Sequence, residues 1–253
     1  MIKKLPVSVI TPCFNSEKTL DATIKSVLNQ DFNDFEYFLI DDCSSTPECR
    51  DIIQHYASND SRITPIFLDS NKGSGYSRNL CIEKSKGKYI TFLDSDDIWL
   101  NTKLSTQIKI MNEFNTEISH GSYGYIDEIG NKLKKQYIVP SHPITYKMLL
   151  KNTSIGCLTA MYNSEKVGKM YMSLHRVKQD YALWLKILKK GYSSHPIESI
   201  LGYYRIHNNS VTKNKAQMAM KHIAFLRETQ KISTLLALYY TIHYAFNGLI
   251  KRL

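Results

Sequence analysis

The sequence predicts an α/β fold in which a mostly parallel sheet is flanked by helices. First, apolar strand-like segments alternate with segments of helical periodicity, in the order β-α-β-α-β-α-β, through residue 93. Second, each of these strand-like segments ends in a cluster of polar residues. Functional sites in such sheets lie at the carboxyl ends of the strands, so the four clusters predict a site there. The chain has 253 residues, enough for one large domain or one and a half.

Four strands and three helices are expected in the first part of the chain. The strands are predicted over residues 7–12, 35–40, 63–68 and 89–93. The helices between them are predicted over residues 17–29, 47–58 and 76–84. The first helix has an apolar face made by Leu20, Ile24, Val27 and Leu28.

After residue 100 the alternation becomes less regular. Helices are predicted over residues 102–114, 144–151 and 179–188. Strands are predicted over residues 122–131, 156–162 and 201–207. The first of these strands ends in the turn signal Glu128-Ile129-Gly130-Asn131, which is followed by the basic residues Lys132, Lys134 and Lys135.

The tail from residue 216 onward is predicted to be helical. Its apolar residues recur at helical spacing: Ile232, Leu235, Leu236, Tyr239, Ile242, Phe246, Leu249, Ile250 and Leu253. Basic residues flank it: Lys213, Lys215, Lys221, Arg227, Lys231, Lys251 and Arg252. It is too polar to predict a membrane span. The pattern fits a helix lying in a membrane interface, and equally a helix packed on its own domain or on a second copy.

The chain is basic, with a formal net charge of +10. Such a balance suits nucleic acid, anionic lipid or a phosphorylated substrate. The lysines are scattered rather than lining one element, and no nucleic-acid motif appears, so nucleic acid is not expected as a partner.

Five cysteines, an odd number without metal-ligand spacing, predict reduced thiols of a cytosolic protein. The first residues hold no apolar run long enough for a signal peptide. The sequence thus predicts a cytoplasmic location.

The strand ending at Leu93 is followed by three carboxylates, Asp94, Asp96 and Asp97. Such crowded negative charges repel one another unless something positive lies between them. A divalent cation, Mg²⁺ or Mn²⁺, suits these hard oxygen ligands and leaves positions open for phosphate oxygens. The alternative is a solvated acidic turn in which Asp97 is the N-cap of the following helix.

Six motifs together resemble glycosyltransferase family 2. They are Val7–Asn15, Leu39–Ser45, Asn71–Gly73 with Ser77–Asn79, Phe92–Asp97, Gln179–Leu185 and Tyr204–His207. The resemblance covers about residues 5 to 212 and implies the GT-A fold. That fold would divide the chain into a nucleotide-sugar-binding half at 1–100, an acceptor half at 101–212 and the tail at 213–253. It also implies an inverting, metal-dependent enzyme, which in most family members uses a UDP-sugar.

The resemblance also implies a role for each matching residue. Those expected to bind the nucleotide sugar are Thr11, Pro12, Phe14, Asn15, Asp42, Asn71, Lys72, Arg78, Asp94 and Ser95. Asp96 and His207 are expected to hold Mn²⁺ or Mg²⁺, and His207 could instead be a structural histidine at a strand end. Asp180 matches the catalytic base, and could also be an ordinary helix N-cap.

In three features the sequence differs from patterns found in that family. Gln179 stands where a glutamate usually precedes the base, and Cys43-Ser44-Ser45 stands where Gly-Ser is frequent. The Gln-X-X-Arg-Trp motif of processive members is missing from the sequence, so we expect one sugar to be added per encounter.

We therefore expect a hexosyltransferase acting at the inner face of the cell membrane. Its donor would be UDP-glucose or UDP-galactose, and its acceptor a sugar on a polyprenyl diphosphate, as in O-antigen and lipopolysaccharide assembly. An α-linked donor would give a β-glycoside. The basic balance and the tail would bring the chain to an anionic membrane, or the tail would pair two copies. The alternatives are a protein or teichoic-type acceptor, or a nucleotide-sugar-binding module without chemistry.

Overall fold

The structure is a computed structural model, which describes residues 6–175, 177–207 and 215–250. Its strands are β1 (Val7–Cys13), β2 (Phe35–Asp41), β3 (Ile63–Phe67), β4 (Tyr89–Phe92), β5 (Ile98–Trp99), β6 (Ile118–Ile126), β7 (Lys132–Tyr137), β8 (Met161–Asn163) and β9 (Ser194–Arg205). Its helices are α1 (Leu20–Leu28), α2 (Glu48–Asn59), α3 (Ser74–Lys84), α4 (Lys103–Glu113), α5 (Tyr146–Lys151), α6 (Ser164–Val167), α7 (Gln179–Leu188), α8 (Lys215–Gln230) and α9 (Thr234–Ile250). A short 3-10 helix lies at Cys157–Thr159.

The first four predicted strands form one parallel group, in the spatial order β3-β2-β1-β4. Val7 of β1 lies opposite Phe35 of β2 on one side and Tyr89 of β4 on the other. The ends of these strands agree with the predicted ends to within one residue. The predicted α/β fold is confirmed, because the carboxyl ends of these strands all meet at one edge of the sheet.

Beyond β4 the same sheet continues with strands of mixed direction. β8 pairs antiparallel with β4, with Tyr89 opposite Asn163, and β6 follows antiparallel to β8. β9 runs parallel to β6, whereas β5 and β7 pair antiparallel at its margins. The two predicted halves of the chain therefore share one continuous sheet.

Apolar layers cover both faces of the sheet. Side chains of a strand alternate between faces, so Val7 and Val9 of β1 pack in one layer and Ile10 packs in the other. The first layer takes residues from α1, α2 and α4. The second takes residues from α3, α5 and α7, including the fully buried Trp184.

Three strand predictions in the second half were wrong in their bounds. β6 and β9 begin four and seven residues before the predicted starts, at Ile118 and Ser194. The early parts contain polar residues that hide the strand pattern: His120 is fully buried, and its Nδ1 lies 2.7 Å from Oγ of Ser194. The strand predicted over residues 156–162 is instead the 3-10 helix followed by β8.

Two strands were not predicted. β5 has only two residues, too few for a periodic signal. β7 is rich in lysine and mostly exposed, as edge strands often are, and it pairs with β6 across the predicted turn at residues 128–131.

The tail forms two helices, α8 and α9, where one helical segment was predicted. Lys231 separates them with a left-handed backbone, φ 58°. Within the described part of the chain, no helix combines the length and apolar character needed to cross a membrane. Four named residues of the tail, Lys213, Lys251, Arg252 and Leu253, lie outside the described residues, as do the first five residues considered for a signal peptide.

Candidate active site

A cavity of about 590 Å³ opens at the carboxyl ends of β1, β2 and β4. Nine of the predicted site residues line it: Pro12, Phe14, Asn15, Asp42, Arg78, Asp94, Ser95, Asp96 and His207. Thr11, Asn71 and Lys72 are not among the lining residues. Thr11 is fully buried and accepts a hydrogen bond from the Tyr37 hydroxyl (3.0 Å). Asn71 and Lys72 are exposed beside the cavity.

Asp42 connects the polar segments that follow β1, β2 and β3. Its backbone N–H donates to the carbonyl of Cys13 (2.8 Å), which fixes it beside the end of β1. Its carboxylate accepts the backbone N–H groups of Lys72 (2.8 Å) and Gly73 (2.7 Å). Each carboxylate oxygen keeps a further acceptor position for a ligand. Phe14, which is 47% exposed, presents its ring at the same cavity.

Asp41, next to Asp42, has a structural role. It is fully buried, and its carboxylate accepts hydrogen bonds from Nε of Arg50 (2.9 Å) and from the Ser44 side chain. Ser44 in turn accepts the backbone N–H of Asn15 (3.0 Å). Cys43 adopts φ 62°, a region that favours glycine, and these bonds hold the loop in that shape.

Arg78 connects this cavity to α7. It is buried, donates to the Asp94 carboxylate, and donates from Nη1 to Oε1 of Gln179 (3.2 Å). Burial lowers the pKa of Arg78, but the charge and hydrogen bond of Asp94, together with Cys157 and Asp180, leave the pKa raised. Oε1 of Gln179 also accepts the Ser74 hydroxyl (2.9 Å). The neutral Gln179 thus holds Arg78 without cancelling its charge.

Asp96 and His207 form the candidate metal-binding pair. Nε2 of His207 lies 2.8 Å from Oδ2 of Asp96, and both side chains are more than a third exposed toward solvent. Among the described residues, no group of three or more metal-ligating side chains is assembled. Mn²⁺ or Mg²⁺ is usually bound by one or two carboxylates together with substrate phosphates, so this oxygen and imidazole pair fits such an ion.

The acidic turn does not cap a helix through Asp97, as the alternative interpretation held. Asp97 precedes β5, is buried, and accepts the backbone N–H of Arg205 at Oδ1 (2.9 Å). Burial, with Asp94 and Asp96 nearby, raises the pKa of Asp97. Arg205 also donates from Nε to the carbonyl of Asp96 (2.7 Å), which anchors the turn to β9.

Asp180 lies in a second cavity of about 300 Å³ that shares Arg78 and Asp94 with the first. It sits in the first turn of α7, and the capping position is occupied by Lys178, so Asp180 is not the N-cap. Burial raises the pKa of Asp180, while the Arg78 charge lowers it. A carboxylate with a raised pKa is a better proton acceptor near neutral pH.

Lys178 is a cavity residue that sequence analysis missed. It adopts φ 58° and lines the second cavity. Its Nζ donates to Nδ1 of His222 on α8 (2.8 Å) and lies 4.4 Å from the centre of the Tyr244 ring on α9. Burial lowers the pKa of Lys178 to about 8 and that of His222 to about 3. No local pattern could reveal this contact, because it joins three distant segments.

A tyrosine cluster on β6 and β9 was also missed. Tyr123 and Tyr204 line the second cavity with ring centres 6.3 Å apart, and Tyr125 packs against both. Their strand alternation was visible in the sequence, but only the pairing of β6 with β9 brings them together. Aromatic faces beside a candidate base can pack against a sugar ring.

Comparison with known proteins gives consistent matches. A family model described as Glycosyl transferase family 2 matches residues 8–169. A Bacillus subtilis protein, TuaG, provisionally named a teichuronic acid biosynthesis glycosyltransferase, is 39% identical over 98% of this chain and 97% of its own. The Escherichia coli protein WfaP, named a UDP-Glc:alpha-D-GlcNAc-diphosphoundecaprenol beta-1,3-glucosyltransferase, is 36% identical over 97% of this chain and 94% of its own.

Solved structures share the fold. Residues 1–349 of Staphylococcus aureus TarS superpose with a TM-score of 0.65 at 19% identity, covering 88% of this chain and 73% of that one. The Pyrobaculum calidifontis mannosyltransferase PcManGT, solved with GDP-Man and Mn²⁺, gives a TM-score of 0.65 at 12% identity, covering 93% and 72%. These likenesses confirm the GT-A fold that the sequence motifs implied. The family model spans residues 8–169, and the two relatives match nearly the whole length of the chain. The chain therefore belongs to glycosyltransferase family 2.

Proposed function

We propose that this enzyme transfers a hexose, glucose or galactose, from a UDP-sugar to a sugar carried on a polyprenyl diphosphate. The observation that carries the proposal is the pair of adjoining cavities. One has the features of a nucleotide-diphosphate site, the other contains the candidate base Asp180, and Arg78 and Asp94 form their common wall. Two Escherichia coli relatives, WfaP and WfgD, are named for transfer of glucose from UDP-Glc to GlcNAc-diphosphoundecaprenol, which supports the same donor and acceptor classes here.

The first cavity accounts for the donor. Its volume, about 590 Å³, lies within the usual range for small-molecule sites. Asp42 accepts an N–H of the uracil ring, and Phe14 packs against that ring. Arg78 faces the diphosphate, and Asp94 faces the ribose. Asn71 and Lys72 contribute to the donor site through the loop that carries them. The Asp42 carboxylate holds this loop by accepting the backbone N–H of Lys72.

A divalent ion completes the site. Asp96 and His207 would hold Mn²⁺ or Mg²⁺, with the remaining ligands supplied by the diphosphate and water. When bound, the ion neutralises the negative charge that develops on the departing UDP.

The chemistry is a single displacement. The acceptor hydroxyl enters through the second cavity, where Asp180 takes its proton. The oxygen attacks the anomeric carbon from the face opposite UDP, and the bond to the diphosphate oxygen breaks with its electron pair leaving on UDP. The α-linked donor therefore gives a β-glycoside. General-base catalysis of this kind contributes about 10²–10⁴-fold in rate.

A polyprenyl-linked acceptor is held in a membrane, so the enzyme acts at the inner face of the cell membrane. The net charge of +10 favours such an anionic surface. The product would extend a bacterial surface polysaccharide, of which O-antigen and lipopolysaccharide are examples.

The test is a panel of UDP-sugars incubated with Mn²⁺ and a synthetic GlcNAc-diphospholipid, scored by UDP release. The anomeric coupling of the product is then measured by NMR. We expect transfer from a UDP-hexose and a β-linked product. An α-linked product would overturn the mechanism, and absence of transfer with every common UDP-sugar would overturn the proposed reaction.

A teichuronic or teichoic-type acceptor is the second candidate, favoured by the 39% identity to the Bacillus subtilis protein. Measuring transfer from one fixed donor to each acceptor distinguishes the two candidates. The acceptor class that the enzyme uses should give the lower KM of the two. A binding module without chemistry is distinguished by UDP release, which in that case would be the same for the parent and Asp180→Ala.

A further inference from the structure

The outer side of α9 exposes a continuous stripe of large apolar side chains, which we call the α9 apolar face. Its members are Leu235, Leu238, Tyr239, Ile242 and Phe246. Leu235 is 81% exposed, Ile242 61% and Phe246 62%. The opposite side of the helix, including Ala237 and Tyr240, is buried against the protein.

Apolar residues on a protein surface are usually scattered singly, whereas those of the α9 apolar face lie side by side. The five residues recur at helical spacing over three turns of one helix, so they form one contiguous patch. Contiguous exposed apolar patches mark surfaces that contact a partner or a membrane. Because its inner side is already packed, α9 does not need this face to fold onto its own domain.

Lysines lie on the segments that adjoin the α9 apolar face, and we call Lys147, Lys151 and Lys231 the lysine rim. Nζ of Lys151 lies 5.6 Å from the centre of the Tyr239 ring, at the edge of the stripe. The Lys151 carbonyl accepts Nδ2–H of Asn247 (2.9 Å), which fixes α5 beside α9. Lys147 is exposed on α5, and Lys231 is exposed in the turn that leads into α9.

The segments that carry the lysine rim contain no acidic residue, and the nearest one in sequence, Glu228 of α8, lies 3.6 Å from Nε2 of His175. Neither α5 nor the segment from residue 231 to residue 250 contains an aspartate or glutamate. A symmetric contact between two copies would bring the same patch of each together, lysines facing lysines, with no carboxylate from α5 or residues 231–250 to compensate. Anionic lipid head groups around an apolar interior complement both the charge and the apolar stripe.

The inner side of the same helix pair borders the second cavity. Tyr244 of α9 and His222 of α8 contact Lys178, a residue of the cavity wall two positions before Asp180. The α9 apolar face therefore lies on the order of one helix diameter, about 10–12 Å, from that wall. A sugar held at a lipid surface would need such a short separation to reach the base.

We infer that the α9 apolar face docks onto an anionic lipid bilayer, with α9 lying parallel to the surface. The apolar side chains would enter the boundary between head groups and acyl chains, and the lysine rim would contact anionic head groups. Docking in this orientation presents the second cavity to a membrane-held acceptor. The inference rests on the proposed function for its acceptor, but the docking itself needs neither donor nor acceptor.

The test is flotation of the full chain with vesicles of phosphatidylcholine alone or with added phosphatidylglycerol. We expect binding to the phosphatidylglycerol vesicles that falls as salt is raised. Ile242→Ser with Phe246→Ser should reduce partitioning by at least about 100-fold, because two apolar side chains no longer enter the bilayer. Lys147→Gln with Lys231→Gln should reduce binding to anionic vesicles about fivefold per lysine and leave neutral vesicles unaffected.

Ile138→Ser is the matched control, since Ile138 is 53% exposed and follows β7 rather than lying on α9. It should bind vesicles like the parent. The Ile242/Phe246 variant should retain the parent melting temperature and its transfer rate on a water-soluble acceptor analogue, and lose transfer to the same acceptor embedded in vesicles.

Three results would overturn the inference. In the first, the parent chain binds neither type of vesicle. In the second, the Ile242/Phe246 variant binds vesicles like the parent. In the third, the parent is a dimer and the variant is a monomer. The last would assign the face to a second copy. Failure of the proposed function is recognised separately, as absence of transfer to either form of the acceptor while vesicle binding persists.

Discussion

Replacing Arg78 by methionine tests how the two cavities are coupled. Arg78 is 8% exposed and Asp94 is 38% exposed, and the two side chains form an ion pair at the common wall. Arg78→Met removes two hydrogen bonds of a charged donor, one to Asp94 and one to Gln179, each about 1.5–3 kcal/mol. It also relieves the buried, unpartnered Nε of Arg78. Because water can reach Asp94 and the unpartnered Nε is removed, we expect a net loss below the sum of the two bonds, about 2 kcal/mol of unfolding free energy.

The same change should alter the pH dependence of transfer. The Arg78 charge lowers the pKa of Asp180, so its removal raises that pKa further above the ordinary value. A base must be deprotonated to act, so the acid limb of the kcat/KM profile should move to higher pH. Arg78→Lys keeps the charge and should leave the limb in place.

The assay combines thermal unfolding with UDP release across a pH series. Arg50→Met is the matched control, because Arg50 pairs with the buried Asp41 outside the cavity. It should lower stability without moving the acid limb. An acid limb that is the same in Arg78→Met and Arg78→Lys would refute the coupling of Arg78 to Asp180.

Three further predictions concern the metal pair and the start of α7. Asp96→Ala and His207→Ala should each raise the Mn²⁺ concentration needed for half-maximal UDP release, and unchanged metal dependence would contradict the assigned pair. Gly75→Ala should lower activity, because a Cβ there would lie 2.8 Å from the Ser173 carbonyl oxygen and 2.9 Å from the Gln179 side chain, and would displace Gln179 from Arg78. Parent-like kinetics would show that the contact between Gln179 and Arg78 is unimportant. Lys178→Met should lower kcat and leave the UDP affinity, measured by calorimetry, unchanged, because the hydrogen bond between Lys178 and His222 of α8 is lost. A weakened UDP affinity would place Lys178 in the donor site instead.

The first half of the fold was predictable because local patterns and tertiary structure agree there. β1, β2 and β4 are buried along their whole length, so their sequences are largely apolar, apart from the buried Ser8 and Glu36, and end where the polar site begins. The predictions failed where burial involves polar pairs. His120 and Ser194 look like loop residues in sequence, and only the pairing of β6 with β9, which brings their side chains together, shows them to be strand residues.

The site was predictable where a motif lies at the end of one strand. Asp42, Asp94 and Asp96 could be placed in this way, and the structure brings them to one cavity. Lys178 could not, because its neighbours His222 and Tyr244 come from helices that follow much later in the chain. The exposed side of α9 could not be predicted from the sequence either, since periodicity reveals an apolar stripe but not which part of it the protein covers.

Asp180→Asn tests the central claim most directly, because it preserves the shape of the side chain and removes its ability to accept a proton. Transfer kcat and the UDP dissociation constant are measured on the same preparation. The account predicts that kcat falls by about 10²–10⁴-fold while UDP affinity and melting temperature remain those of the parent. Transfer at the parent rate, or an equal loss of UDP binding, would contradict the assignment of Asp180 as the base in a separate acceptor cavity.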